Sequence, residues 1–227
     1  GGRFRSPHYL AVTPRDTLLI SNGWGGSIVE ISDLDGGGWT EFHGRDGGFH
    51  APHGICIDDD GWIYVADSLN SRIVRFRDMT GAGWQVFGDR ERRVSYAREL
   101  ACLDDALWVS NSYEQRPGLN PGSGSNILKI EDFESGRARV VHESPDTNMT
   151  ALLPLANGKL LFGQWGIRQR LAMVDAGSGE GWVFPRLGHG PPYGIYEDAG
   201  MSRILVTYIG DLRGGRTGGI AVYELPR

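Results

Sequence analysis

What this chain lacks narrows the problem before any motif is read. No apolar run approaches the length that spans a bilayer, and the opening GGRFRSPHYL has no hydrophobic signal-peptide core. The expectation is a soluble protein with no membrane partner, the cytoplasm slightly favoured over a secreted form that has lost a leader. No Lys/Arg run is dense enough to track a phosphate backbone, and the net charge of −5 comes from interspersed acids and bases, so nucleic acid is not expected as a partner. Cysteine is nearly absent. Cys56 and Cys102 both fall in apolar stretches where a thiol behaves as a small buried hydrophobe; a disulfide is therefore not expected, which leans toward a reducing compartment. There is no P-loop, dinucleotide fingerprint, G-x-S-x-G elbow or H-E-x-x-H, so nucleotide binding, serine esterase chemistry and zincin chemistry have no support.

Glycine, by contrast, is plentiful at 35 residues, about twice the usual share. It is scattered at short intervals, which points to many tight turns. The turns punctuate a repeat. PHGICIDDDGWIYV, from Pro52, reads as an apolar strand, an acidic turn and an alternating strand, that is, a β-hairpin. Similar phrases begin at Pro7, Ala97, Met149 and Pro191, and each is followed by a third apolar strand: SIVEI, RIVRF, NILKI, RLAMV and GIAVY. GGGWTEF, GAGWQVF and GEGWVFP supply a fourth strand in three units and GRARVV in another. Trp39, Trp84 and Trp182 recur in this strand and are expected to pack between units.

A unit of about 45 residues made of four antiparallel strands cannot cover both its faces alone, and radial packing of such sheets does so. The fold class expected is all-β, a β-propeller with five countable blades at about 3–48, 49–94, 95–147, 148–190 and 191–227, forming one domain. The fifth unit stops without a fourth strand, which leaves open a six-bladed relative with a blade missing.

FHAPHGICIDDDGWIYVADSLNSRIVRF, with its F-x-x-P-x-G-I, I-Y-V-A-D-S and N-x-R-I-x-x-F elements, resembles an NHL repeat. The resemblance implies a propeller, typically of six blades. The paired Pro-His segments also resemble those of peptidyl-hydroxyglycine amidating lyases, propellers in which channel histidines hold zinc. That resemblance implies His8 and His53 as metal ligands, with Arg98 polarising a carbonyl and Tyr193 serving as acid or base.

Aligning the hairpins places His8, His53, Arg98, Thr150 and Tyr193 at the start of strand one, and Asn22, Asp67, Asn111, Gln164 and Tyr208 at the end of strand two. In a propeller these two rings meet at one mouth of the central channel. Two aligned imidazoles suit zinc, which in catalytic sites takes three protein ligands and leaves a position open; His189 is the preferred third ligand and His50 its substitute. A structural calcium ion is also open. The plainer reading is that the histidines are hydrogen-bonded side chains and that Asp67 clamps its own loop. Trp24 and Trp165 follow the second ring and offer flat apolar surfaces to a ligand, and the 112–126 insertion is either a lid or a tolerated surface loop.

Two functions follow. One is a small-molecule enzyme, a metal-assisted lyase or hydrolase, with Arg98 and Tyr193 catalytic and the second ring, Thr150 and the two tryptophans contacting a small-molecule or short-peptide substrate. The other is a non-catalytic NHL-type propeller binding a peptide, glycan or protein on the same face.

Overall fold

A computed structural model describes residues 4–88, 94–112, 125–144, 147–155, 157–166, 170–183, 192–198, 203–208 and 218–224. Short runs rich in Val, Ile, Leu and aromatics form strands, and tight turns reverse the chain between them. Asp16 at φ 58° and Gly61 at φ 79° adopt the left-handed backbone that two of these reversals need, a conformation that Gly and, among side-chain-bearing residues, Asp accept most readily.

The strands form consecutive antiparallel sheets. The first is β1 (Pro7–Val12), β2 (Leu18–Asn22), β3 (Ser27–Ile31) and β4 (Thr40–Phe42); the second is β5 (Pro52–Ile57), β6 (Ile63–Asp67), β7 (Arg72–Phe76) and β8 (Gln85–Gly88). The third is β9 (Tyr96–Leu103), β10 (Ala106–Ser112), β11 (Ser125–Asp132) and β12 (Arg137–Ser144), and the fourth is β13 (Thr147–Pro154), β14 (Lys159–Gly166), β15 (Arg170–Asp175) and β16 (Gly181–Val183). The fifth has three described strands, β17 (Pro192–Asp198), β18 (Arg203–Tyr208) and β19 (Gly219–Glu224). The fold is a β-propeller and each sheet is a blade. The described residues contain no α-helix; 3-10 turns at Gly23–Gly25 and Ser68–Asn70 follow the second strands of blades 1 and 2. The chain resolves into two compact units, Gly1–Val109 with Lys129–Arg139, and Ser110–Leu128 with Val140–Arg227.

Because side chains alternate across a strand, each blade has two apolar faces, and both units use them alike. In the first unit Leu19 and Ile28, on what we term the trailing face of blade 1, pack against Ile55, Val65 and Val74 on the leading face of blade 2, with Phe49 and Phe76 closing the cluster. In the second, Leu161 and Leu171 of blade 4 pack against Ile195, Ile204 and Val206 of blade 5. Burying each such side chain contributes about 1.5–3 kcal/mol. Trp84 stacks on Phe76 at 5.9 Å, Trp39 lies 4.8 Å from Phe4, and the Lys159 ammonium sits over the Trp182 ring.

Cys56 and Cys102 are joined in a disulfide, with Cα atoms 5.9 Å apart. The expectation of two separate buried thiols is wrong, and the lean toward a reducing compartment loses its ground, since disulfides persist where the environment is oxidising. The physical reason is the close approach of β5 and β9. A Cβ added at Gly54 would lie 2.7 Å from the Leu100 amide nitrogen and 2.9 Å from the Arg98 carbonyl oxygen, so the two strands run nearly in contact and bring residues one repeat apart together.

Candidate functional site: a histidine pair beside Arg98

The two histidines are set by the same local device. Ser6 (φ 58°) and Ala51 (φ 50°), each directly before the Pro of a Pro-His segment, take the left-handed conformation, which is rare for a residue carrying a Cβ and is often retained where function needs it. The pairing register then shifts between Pro7 and Leu10 and between Pro52 and Ile55, so His8 and His53 both sit in β-bulges. Thr150 lies in the corresponding shift between Met149 and Leu152, and Tyr193 in that between Pro192 and Gly194. A bulge re-aims the side chain it carries.

In the first unit the result is a compact cluster. The His8 and His53 rings stack with centroids 4.0 Å apart and planes 22° from parallel. Gly23 admits the His8 ring, since a Cβ there would lie 2.6 Å from Nε2. His53 is 5 % exposed. Its Nδ1 lies 2.9 Å from the Ala51 carbonyl oxygen and 2.9 Å from Ser68 Oγ, while the Ser68 hydroxyl donates to the Ala97 carbonyl at 2.5 Å. A carbonyl only accepts and the Ser68 proton is already placed, so Nδ1 carries the hydrogen and Nε2 keeps its lone pair. Tyr96 meets His53 edge-on at 5.4 Å, and the half-buried Arg98 guanidinium lies 5.6 Å from the Tyr96 ring centre.

Charge and burial keep both imidazoles neutral. Burial, then the Arg98 charge and His8, push the His53 pKa down to about 3; burial and Arg98 also lower that of the half-buried His8. One residue along each strand is a buried acid pair. Burial raises the Glu99 carboxyl well above its usual range against the pull of Arg98, and Tyr9, hydrogen-bonded to Glu99, is raised as well. Tyr9, Tyr96, Glu99 and Ser68 were not singled out from sequence. A lone carboxylate in the apolar strand YARELACL and the Ser of VADS were the available signals.

The second-ring residues do other work. Asp67 is fully buried and accepts from the His50 amide at 2.7 Å, Asn70 Nδ2 at 2.7 Å and Arg72 Nε at 2.7 Å. Asn22 accepts from the Arg5 amide at 2.6 Å. In the second unit Asn111 Nδ2 donates to Asn126 Oδ1 at 2.9 Å, Gln164 Oε1 accepts from Arg170 Nε at 2.6 Å, and the Tyr208 and Tyr223 hydroxyls are 2.8 Å apart. Thr150 is buried, its hydroxyl donating to the Pro192 carbonyl at 2.6 Å, and Tyr193 is half-buried. Trp24 and Trp165 are exposed, each in its own unit, and so is His50. His189 and positions 113–124 of the insertion lie outside the described residues.

As placed, the described side chains do not fit a divalent ion. Imidazole lone pairs lie in the ring plane, so two nearly parallel stacked rings aim them side by side rather than at one point, and Arg98 opposes a cation beside them. No group of three His, Cys, Asp or Glu suited to a metal occurs among the described residues. A cavity of about 380 Å³ lined by Asp58, Trp62, Arg75, Asp105 and Glu134 lies at the other end of β5 and β9 from the histidines, with Arg75 held between the Trp62 and Phe133 rings and bonded to Glu134 at 2.9 Å.

Residues 49–76, which carry His53, Asp67 and Ser68, match the NHL repeat family. The match lies within the second blade and spans β5 to β7. None of the curated proteins searched matches the chain. Among solved structures, a gluconolactonase-like protein is 18% identical with a TM-score of 0.73, the match covering 98% of this chain and 75% of that one. A catalytically inactive histidine-to-alanine variant of virginiamycin B lyase from Staphylococcus aureus, solved with quinupristin, is 17% identical with a TM-score of 0.67 over 98% of this chain and 71% of its own. A chain of the nidogen–laminin complex is 18% identical with a TM-score of 0.70 over 90% and 72%. At these identities the likeness is one of fold, and the chain's neighbours include both enzymes and a member of a protein–protein complex.

Proposed function

We propose that the chain is a small-molecule lyase or hydrolase whose active site is the His8–His53–Arg98 cluster, acting on a carbonyl compound such as a lactone or other ester. The observation that carries this reading is the stacked pair of neutral imidazoles beside a guanidinium, on strained, bulged backbone. Titratable groups perturbed by burial together with a specific charged neighbour cluster at functional sites.

The two rings have different parts. His53, with its pKa near 3, is too weak a base to take a proton at neutral pH; its Nε2 lone pair accepts a hydrogen bond from a substrate O–H or N–H and orients it. His8 is half-buried and remains neutral at pH 7, which suits a general base that removes a proton from carbon in a lyase or from water in a hydrolase. Arg98 supplies the fixed positive charge that stabilises negative charge developing on the carbonyl oxygen. As the C–O bond breaks, the proton that His8 has taken passes to the departing oxygen, a transfer favoured by burial and the Arg98 charge, which disfavour the protonated ring, and the base is returned to its neutral form. Tyr193, in the second unit, is not needed for these steps. The inactive histidine variant of the Staphylococcus aureus lyase lends support to imidazole chemistry in a fold of this kind.

The test is proton release in a pH-stat with glucono-lactone and a series of simple γ- and δ-lactones, with and without added zinc. Turnover should fall by about 10²–10⁴-fold in His8→Gln and Arg98→Gln, with melting temperature unchanged and no zinc requirement. Wild-type protein that opens none of these lactones, and whose His8 ring signals ignore them, would overturn the proposal. The exposed Trp24 favours the second reading, a platform for a peptide, glycan or protein; in that case Trp24→Ala weakens binding and the His8 variant does not.

A further inference from the structure

The residue directly after the second-ring position is Gly23 in blade 1, Ser68 in blade 2, Ser112 in blade 3 and Trp165 in blade 4. Both serines are buried, and each hydroxyl makes the same bond within its own unit. Ser68 donates to the Ala97 carbonyl and Ser112 to the Met149 carbonyl. Ala97 and Met149 stand just before Arg98 and Thr150, the first-ring residues of the following blades. Such a bond ties one blade to the next and satisfies a buried hydroxyl.

Ser68 has a further partner. Its oxygen lies 2.9 Å from His53 Nδ1, and because its one proton goes to Ala97, it meets the ring N–H as an acceptor. One oxygen atom thereby joins the imidazole to the backbone of the strand that carries Arg98. The turn holding Ser68 is itself pinned: Asp67 accepts from the His50 amide, and the Leu69 amide donates to the His50 carbonyl at 3.0 Å. His53 Nδ1 also meets the Ala51 carbonyl at 2.9 Å, but that contact comes from two residues back on its own segment and does not relate the ring to blade 3. In blade 1 Gly23 has no hydroxyl to offer. The His8 ring lies against its backbone instead, with Nε2 3.3 Å from Ser6 Oγ.

We propose that Ser68 is a positioning residue for His53, holding the imidazole in register with Arg98 so that Nε2 meets a bound substrate in one orientation. The role rests on the function proposed above, in which His53 orients the substrate. Misalignment of reacting groups costs rate, whereas loss of a bond that only joins blades costs stability. Ser112 separates the two effects, since it makes the same hydroxyl-to-carbonyl bond at the strand that carries Thr150.

The test compares Ser68→Ala, Ser68→Thr and Ser112→Ala with the wild type by urea unfolding, by lactone turnover, and by nitrogen-edited NMR of the His53 ring N–H near neutral pH. In the wild type this proton should show a nuclear Overhauser contact to the Ser68 β-protons, a measurement that needs no variant to fold. In Ser68→Ala its resonance should shift and exchange faster with water, and kcat/KM should fall by about 10²-fold. Ser68→Thr keeps the hydroxyl and should restore both, while Ser112→Ala should lose stability and change neither. If the wild type opens no lactone, the activity reading fails by itself and the ring resonance still decides the role of Ser68. A ring N–H that lacks the contact to Ser68, that is unmoved in Ser68→Ala, or that moves equally in Ser112→Ala overturns the inference.

Discussion

Removing the Cys56–Cys102 bridge perturbs the structure where its two halves of the candidate site are joined. The bridge ties β5, which carries His53, to β9, which carries Arg98, and closes a loop with a sequence separation of 46 residues. In the chain-entropy description a loop of that length restricts the unfolded state by about 4 kcal/mol at room temperature. The Cys56→Ala/Cys102→Ala variant should therefore be less stable by about that amount. Urea unfolding followed by tryptophan fluorescence reads it directly: with a slope of about 2–3 kcal/mol per molar urea, the midpoint falls by roughly 1.5 M. Wild-type protein treated with a thiol reductant should move toward the variant, and the untreated protein should show no free thiols on denaturation. A midpoint shift equivalent to less than about 1 kcal/mol would refute the entropic argument, and two free thiols in protein made under oxidising conditions would refute the bridge itself.

Other consequences can be measured on the same protein. Gly54→Ala places a methyl against the backbone of β9, which cannot yield as a flexible side chain would, so it should cost about 1–3 kcal/mol in thermal or urea unfolding; an unchanged midpoint would mean the strands are not this close. For His53 the folded pKa of about 3 lies below the unfolded value of 6.5. Its contribution is thus fully present above pH 6.5 and is lost as pH falls toward 3, by about 1.4 kcal/mol per pH unit. At pH 4.5 the wild type should have lost roughly 2–3 kcal/mol more than His53→Gln has; parallel pH–stability curves would contradict the burial of a neutral ring. Glu99 has the opposite sign. Its raised folded pKa gives stability present below the ordinary carboxylate range and lost as pH rises through it, so Glu99→Gln should flatten the decline of stability between acid and neutral pH, and an unaltered decline would show that Glu99 is ionised in the folded state.

How much of this was legible in the sequence depends on the range of the interaction involved. The blades were legible because alternation and turn residues are local and five copies of one phrase reinforce one another. The position shared by His8, His53 and Arg98 was legible for the same reason. What the repeat could not convey was direction. A β-bulge changes the aim of a side chain without leaving a mark in composition, and His8 and His53 both lie in the register shifts at Pro7–Leu10 and Pro52–Ile55. The disulfide escaped because Cys56 and Cys102 are offset by one residue relative to the repeat, and only the close approach at Gly54 reveals that they meet. Asp67 was read both as a ring member facing a ligand and as a clamp on its own loop, and its carboxylate accepts from the His50 amide, Asn70 and Arg72. Such engagement is fixed by loop geometry that strand patterns do not encode.

The central claim is that two neutral imidazoles stand together beside Arg98, and long-range proton–nitrogen NMR correlations of the histidine rings across a pH titration test it most directly. The account predicts that His53 keeps its hydrogen on Nδ1 and stays neutral to about pH 4, consistent with its folded pKa of about 3, while His8, lowered by burial and Arg98, titrates below 6.5. Substitution of Arg98 by Gln should move both titrations upward. If either ring gained its proton at or above pH 6.5 in the wild-type protein, or if His53 carried its hydrogen on Nε2, the site would not be the one described.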